Sequence, residues 1–250
     1  MARFFLPQTN IHGQRGFIDG QELAHLQRVL RLAPGDRITV FDERGWEHEA
    51  VIQSLTAERG EIEILRSSEA TRESSLDLTL ALGLTKGEKM DLVVEKATEL
   101  GVRSILPFTS THAVPKFDAT KAARRSERWR KIALSAAKQC GRTQVPAVLP
   151  LCDFPTLLSR PEPAFKLLFW ESESQQSLQQ AYEKHSTAEA LLLTVGPEGG
   201  FRGEEVELAR ASGFETAHLG RRILRAETAA VAAVTLAQFL WGDLAERLPR

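Results

Sequence analysis

Two glycine-bearing segments in the last quarter of the chain hold the residues best suited to chemistry: LLLTVGPEGGF at 191–201 and AHLGRRILRAETAA at 217–230. Each ends an apolar run in a turn that exposes backbone. Set side by side, two such turns can hold a flat polar ligand between main-chain groups while Glu198, Arg225 or Thr228 reaches its edge. The glycines of GPEGG permit close approach that side chains would obstruct, and Pro197 restrains the exit from the preceding strand. No GxGxxG fingerprint and no GxxxxGK[ST] phosphate loop occurs here, so neither a dinucleotide site nor a nucleoside triphosphatase follows. In the second segment Arg221, Arg222 and Arg225 crowd the exit from Gly220, ahead of Glu227 and Thr228. Pairing with Glu227 is one use for them; an anionic substrate explains three arginines beside a glycine turn better.

A second concentration of charge lies in residues 116–142. Lys116, Lys121, Arg124, Arg125, Arg128, Arg130, Lys131, Lys138 and Arg142 stand against Asp118 and Glu127, a local +7 in a chain of net charge −1. The first 70 residues hold eight arginines and eleven acids, a local −3. Phosphates respond to the field of the surface they touch, so a near-neutral total does not exclude a nucleic-acid partner. One basic helix with its approach loop neutralises several phosphates. The alternative is a solvated helix whose buried contacts come from Trp129, Ile132, Leu134 and Ala136. His112, in the loop STHAVPK, is either a base or a structural hydrogen-bonding group. The other histidines are scattered, and Cys140 and Cys152 match no zinc spacing, so no metal is expected.

The elements that must position these residues fall into two rhythms. RITVFDE, HEAVIQSL and GEIEIL (60–65) alternate apolar and polar residues as half-buried strands do, with one helix expected over 20–31. Residues 1–70 read as a small β-rich barrel or sheet, and SSEATRESS (67–75) as a linker. From Ser75 onward strand and helix alternate: SLDLTLALGL, the helix KGEKMDLVVEKATEL closed by Gly101, then SILPF, AFKLLF (164–169), LLLTVG and TAHLG, with helices at 203–212 and 226–241. That order implies an α/β domain over 75–247 with a largely parallel sheet and ligands at the carboxyl ends of its strands. No segment approaches the roughly 18 uninterrupted apolar residues of a membrane helix, and MARFFLPQTN lacks a signal peptide's apolar core. A cytoplasmic protein without membrane contact is expected.

KATELGV (96–102), RWRKIALSAAKQCGR (128–142), VGPEGGF (195–201) and LGRRILRAETA (219–229), together with RFF at 3–5, resemble the ribosomal RNA small subunit methyltransferase E family of the SPOUT superfamily. Its members methylate N3 of a uridine in 16S ribosomal RNA. The resemblance spans nearly the whole chain, and GPEGG followed by LGRRILRAETA is its most specific part. It implies a PUA-like RNA-binding β-barrel over 1–70 ahead of a SPOUT-type, trefoil-knotted α/β methyltransferase domain; nothing in composition or periodicity announces the knot. It also implies S-adenosyl-L-methionine as cofactor, surrounded by Leu193, Gly196, Gly199, Leu219, Gly220 and Leu224. Arg225, Glu198 and Thr228 become the catalytic candidates, and Arg124, Arg128, Lys131 and Arg142 the RNA-binding ones. The implied partners are 16S ribosomal RNA, within the small subunit or a late assembly intermediate, and a second copy of the chain in a homodimer. His112 stands where relatives often carry an arginine or an acid. Methylation of another RNA position and RNA binding without catalysis are the competing functions.

Overall fold

The computed structural model describes residues 1–70, 72–110, 119–161 and 165–246. His112, Lys116 and Asp118 lie outside the described residues. Two compact units divide the chain, one of Met1–Glu73 with Leu134–Val145, the other of Ser74–Ala133 with Pro146–Arg250.

The first unit is a six-stranded sheet. Its strands are β1 (Arg3–Phe5), β2 (Ile11–His12), β3 (Arg15–Asp19), β4 (Arg37–Phe41), β5 (Trp46–Leu55) and β6 (Arg59–Glu69), in the order β1-β4-β5-β6-β3-β2. The β1–β4 pair is parallel and the others antiparallel. Period-2 alternation puts Ile38 and Val40 of β4 and Ile62 of β6 on one face, where they bury with Phe4, Ile18, Leu26 and Ile52. Register shifts between β5 and β6 at Glu49/Ala50 and Ile52/Ser54 bend the long hairpin over that core.

Two expectations for this unit change. The helix expected over 20–31 is α1 (Gly20–Ala24), which widens into a π-helical turn over His25–Val29 before Arg31 takes a φ of 53°. The wider turn leaves Leu26 in the core and Val29 exposed, which a regular 3.6-residue period does not anticipate. The supposed linker begins as strand: Ser67, Ser68 and Glu69 pair with His48, Glu47 and Trp46. Glu73, at its far end, accepts hydrogen bonds from the Thr143 and Gln144 amides, each at 3.0 Å, and from Arg142 Nε at 2.9 Å.

The second unit is built on a seven-stranded sheet whose pairings are all parallel. In chain order it contains β7 (Asp77–Gly83), α2 (Lys89–Glu99), β8 (Ser104–Thr109), α3 (Ala119–Cys140), β9 (Ala147–Val148), β10 (Cys152–Asp153), α4 (Phe154–Leu158), β11 (Phe165–Phe169), α5 (Leu178–Lys184), β12 (Ala190–Val195), α6 (Gly203–Ala211), β13 (Glu215–Ala217) and α7 (Ala226–Leu240). The sheet order is β10-β8-β7-β12-β11-β13, with β9 also on β8. Strands covered on both faces read as near-continuous apolar runs, as β7 and β12 do, with Leu80 opposite Leu193. β9, β10, α4 and α5 escaped the sequence pattern because each has seven residues or fewer. TAHLG proves to be strand only through Ala217; the chain leaves the sheet at His218. The last residues of α3 belong to the first unit, where Lys138 Nζ meets Glu22 at 2.7 Å. Among the described residues no helix is long and apolar enough to cross a membrane.

Candidate active site

A cavity of about 480 Å³ opens at the carboxyl ends of β11, β12 and β13, within the α/β unit. Parallel strands direct their C-terminal loops to one edge, which is why both glycine turns arrive there. The GPEGG turn leaves β12 and closes with the Gly200 amide donating to the Pro197 carbonyl at 2.9 Å. Phe201 anchors it from below, buried against Phe108 and Phe154, and Trp170 Nε1 donates to the Phe201 carbonyl at 3.2 Å. On its other side the turn presses on the end of β7. A Cβ on Gly83 would stand 2.4 Å from Pro197 N, so only glycine lets the two backbones meet.

The second turn leaves β13 through His218, whose Nδ1 accepts from the Gly220 amide at 3.0 Å. Gly220 has φ +93°, and the segment Arg221–Arg225 then wraps the cavity before α7 begins at Ala226. Ala226 and Ala229 place the first turn of α7 against the cavity.

Most of the expected residues converge here. Gly196, Gly199, Leu219, Gly220, Leu224, Glu198 and Arg225 all line the cavity. Two others stand elsewhere. Leu193 is fully buried inside β12, between Leu80 and Leu167, and sits behind the site as packing. Thr228 is exposed on α7 and is not among the residues that line the cavity, although Ala226 and Ala229 on either side of it are. The RNA-binding candidates also divide. Arg124, Arg128 and Lys131 are exposed on α3. Arg142 is only 5% exposed, with Nη2 2.8 Å from Glu73 Oε2 inside the first unit; a buried guanidinium committed to a carboxylate is not offered to phosphates.

Glu198 Oε1 accepts from the Lys86 amide at 2.9 Å and from Lys89 Nζ at 3.1 Å. Burial works to raise its pKa, but the hydrogen bond from the Lys86 amide, together with Lys89, outweighs it and holds the carboxyl below its ordinary value. Glu198 is therefore an ionised anchor for the start of α2. Lys89, Trp170, Glu171 and His218 also line the cavity and were not singled out by any motif. Trp170, Glu171 and His218 immediately follow β11 and β13, and sheet order is what identifies those positions; Lys89 had no sequence signal.

A family model described as an RNA methyltransferase domain matches residues 72–238, and one described as an RNA methyltransferase PUA domain matches residues 18–65. The Bacillus subtilis ribosomal RNA small subunit methyltransferase E is 33% identical over 243 residues, which cover 94% of this chain and 95% of that one. The chain belongs to the ribosomal RNA small subunit methyltransferase E family. Methyltransferase E of a Synechocystis strain is 34% identical over 215 residues, covering 85% and 69%. The crystal structure of methyltransferase E from Neisseria gonorrhoeae, bound to S-adenosyl methionine, superposes with a TM-score of 0.88 at 37% identity, covering 98% of this chain and 99% of that one. Methyltransferase E architecture accounts for both units: a curled PUA-like sheet and a parallel SPOUT-type α/β sheet.

Proposed function

We propose that the chain transfers a methyl group from S-adenosyl-L-methionine to N3 of a specific uridine in 16S ribosomal RNA. The observation that carries this reading is the cavity between the two glycine turns. Around Gly199 and Gly220 nothing lies within 4 Å of where a Cβ would stand, so their backbone faces open space that a flat ligand fills. A volume of about 480 Å³ lies within the span of small-molecule sites, about 300–1,000 Å³. Gly196, Gly199, Leu219, Gly220 and Leu224 would hold the cofactor, with Leu193 stiffening the strand behind them. When bound, S-adenosylmethionine supplies a methyl group activated by the sulfonium it is attached to.

The protein's own work is then positional and electrostatic. Uracil N3 becomes nucleophilic as its proton leaves, so the site must hold N3 in line with the methyl group and favour negative charge on the flanking carbonyl oxygens. Arg225, exposed, lining the cavity and N-terminal to α7, would face that charge. A uridine stacked in structured RNA must be turned out to reach the cavity. Arg124 and Lys131 of α3 would carry phosphates, and the PUA-like unit further RNA contacts. On this reading residues 1–70 and 75–247 act as the RNA-binding and knotted catalytic domains. The protein works in the cytoplasm as a homodimer, on the small subunit or a late assembly intermediate.

The test is nucleoside mass spectrometry of 16S RNA from a gene-deleted strain and its complemented counterpart. Loss of 3-methyluridine on deletion and its return on complementation are expected. Its persistence in the deletion, or methylation only at another atom, would overturn the reaction.

A further inference from the structure

The cavity wall carries a cation that no sequence motif announces. Lys89, the first residue of α2, reaches the GPEGG turn with Nζ 3.1 Å from Glu198 Oε1 and 3.7 Å from Glu227 Oε2. Glu227 stands in the first turn of α7, and its Oε2 is buried with no hydrogen-bond partner among the described residues. Glu198 is itself fixed by the Lys86 amide. Carboxylates from two separate elements thus bracket one ammonium. That ammonium carries three N–H donors, and among the described residues it donates one hydrogen bond, to Glu198 Oε1. Lys89 lines the cavity, so donor capacity remains for a ligand there.

We propose that Lys89 is a catalytic residue whose ammonium donates to a uracil carbonyl oxygen beside N3, while Glu198 and Glu227 position it. This rests on the uridine-N3 reading above. As the N3–H bond breaks, the proton passes to solvent water and the electron pair stays on the ring, spreading to the two carbonyl oxygens. A cation already held in place stabilises that charge without having to reorganise as it develops. The pair then forms the N3–C bond as the methyl group leaves sulfur, and the broken bond's electrons return to sulfur. Two carboxylates beside the reacting base would by themselves oppose an anion. Lys89 offsets one of the two charges and stands between both carboxylates and the base, which gives the bracketing a purpose beyond tying α2 to the turn.

The experiment uses the full chain, S-adenosylmethionine and small ribosomal subunits lacking the modification. Lys89→Met should lower kcat about 100-fold, with cofactor affinity by calorimetry unchanged, and Lys89→Arg should recover part of the rate. Lys89→Gln carries the same expectation as Lys89→Met and decides the matter if the methionine variant does not fold. Glu198→Gln should lower kcat less, and its effect should vanish in the Lys89→Met background, because a positioning residue has nothing left to position. Undiminished kcat in the Lys89 variants would overturn the proposal. So would a loss of cofactor affinity matching the loss of rate, which would put Lys89 on the cofactor instead. Wild-type protein that leaves uridine N3 unmethylated would remove the underlying reading, and this inference with it, before any variant is compared.

Discussion

Gly199 and Gly220 both turn bare backbone toward the cavity, yet replacing them asks different questions. At Gly220, φ is +93°, so any side chain strains the turn whether or not a ligand binds. Gly199 has no such constraint, and a Cβ there meets only open space. Gly199→Val should therefore leave the melting temperature unchanged and weaken S-adenosylmethionine binding on the order of tenfold, about 1.4 kcal/mol. Calorimetry that returned wild-type affinity would remove this turn from the cofactor's surroundings. The residues of both turns were legible in the sequence because each is a local signal, glycine after an apolar run. Lys89 was not, because its role comes from Glu198, 109 positions away.

Helix α3 shows how an element divides the work of its residues. Ser126, Trp129, Ala133, Ala136 and Ala137 are buried, while Arg124, Arg128 and Lys131 are exposed, the amphipathic division expected of a surface helix. The exposed cations are not equivalent, since the Arg128 guanidinium pairs with the half-buried Asp91, whereas Lys131 meets the exposed Glu127 on its own helix, at 3.6 Å. Replacing Arg124 and Lys131 with glutamine should reduce RNA affinity and lower its salt slope by about 1 for each engaged phosphate, without changing cofactor affinity. Replacing Arg128 should change the slope less, because its pairing with Asp91 already offsets its charge. An unchanged slope in titrations of the Arg124 and Lys131 variants would show that this face points away from RNA. Arg142 stands apart from the set: the sequence grouped it with the helix by charge and proximity, and Glu73 withdraws it from the surface.

At the scale of the whole α/β unit, a carboxylate outside the cavity contributes stability that acid removes. Glu173 is buried, accepts from Thr216 Oγ1, from Arg210 Nη2 at 2.9 Å and from the Gln175 amide at 2.7 Å, and so ties the exit of β11 to β13 and α6. Burial pushes its pKa up, but the Thr216 hydroxyl and the backbone amides of Gln175, Gln176 and Ser174 outweigh burial and hold it below 4.5, its ordinary value. Because the folded-state value is the lower one, the ionised group favours the fold at every pH above 4.5. That contribution fades as pH falls through the folded-state value. Glu173→Gln should cost about 2 kcal/mol at neutral pH and reduce the acid-induced loss of stability, read from thermal melts between pH 3 and 7. Equal pH dependence in the two proteins would place the acid-sensitive group elsewhere.

By itself the sequence determined the longer strands and helices of the α/β unit, where the backbone must turn, and which helix is basic, since periodicity, glycine placement and charge are all properties of neighbouring residues. It determined the family as well, through motifs that keep their order along the chain. Only the tertiary structure decided that β12 enters between β7 and β11, which brings the GPEGG turn beside the exit of β13. It also decided that Leu193 and Thr228 stand away from the cavity that Lys89 and Trp170 line. The physical reason is that local backbone preference acts over a few residues, whereas burial, ion pairing and sheet order depend on groups dozens of residues apart. Where such groups meet is fixed by the packing of the whole sheet and its helices.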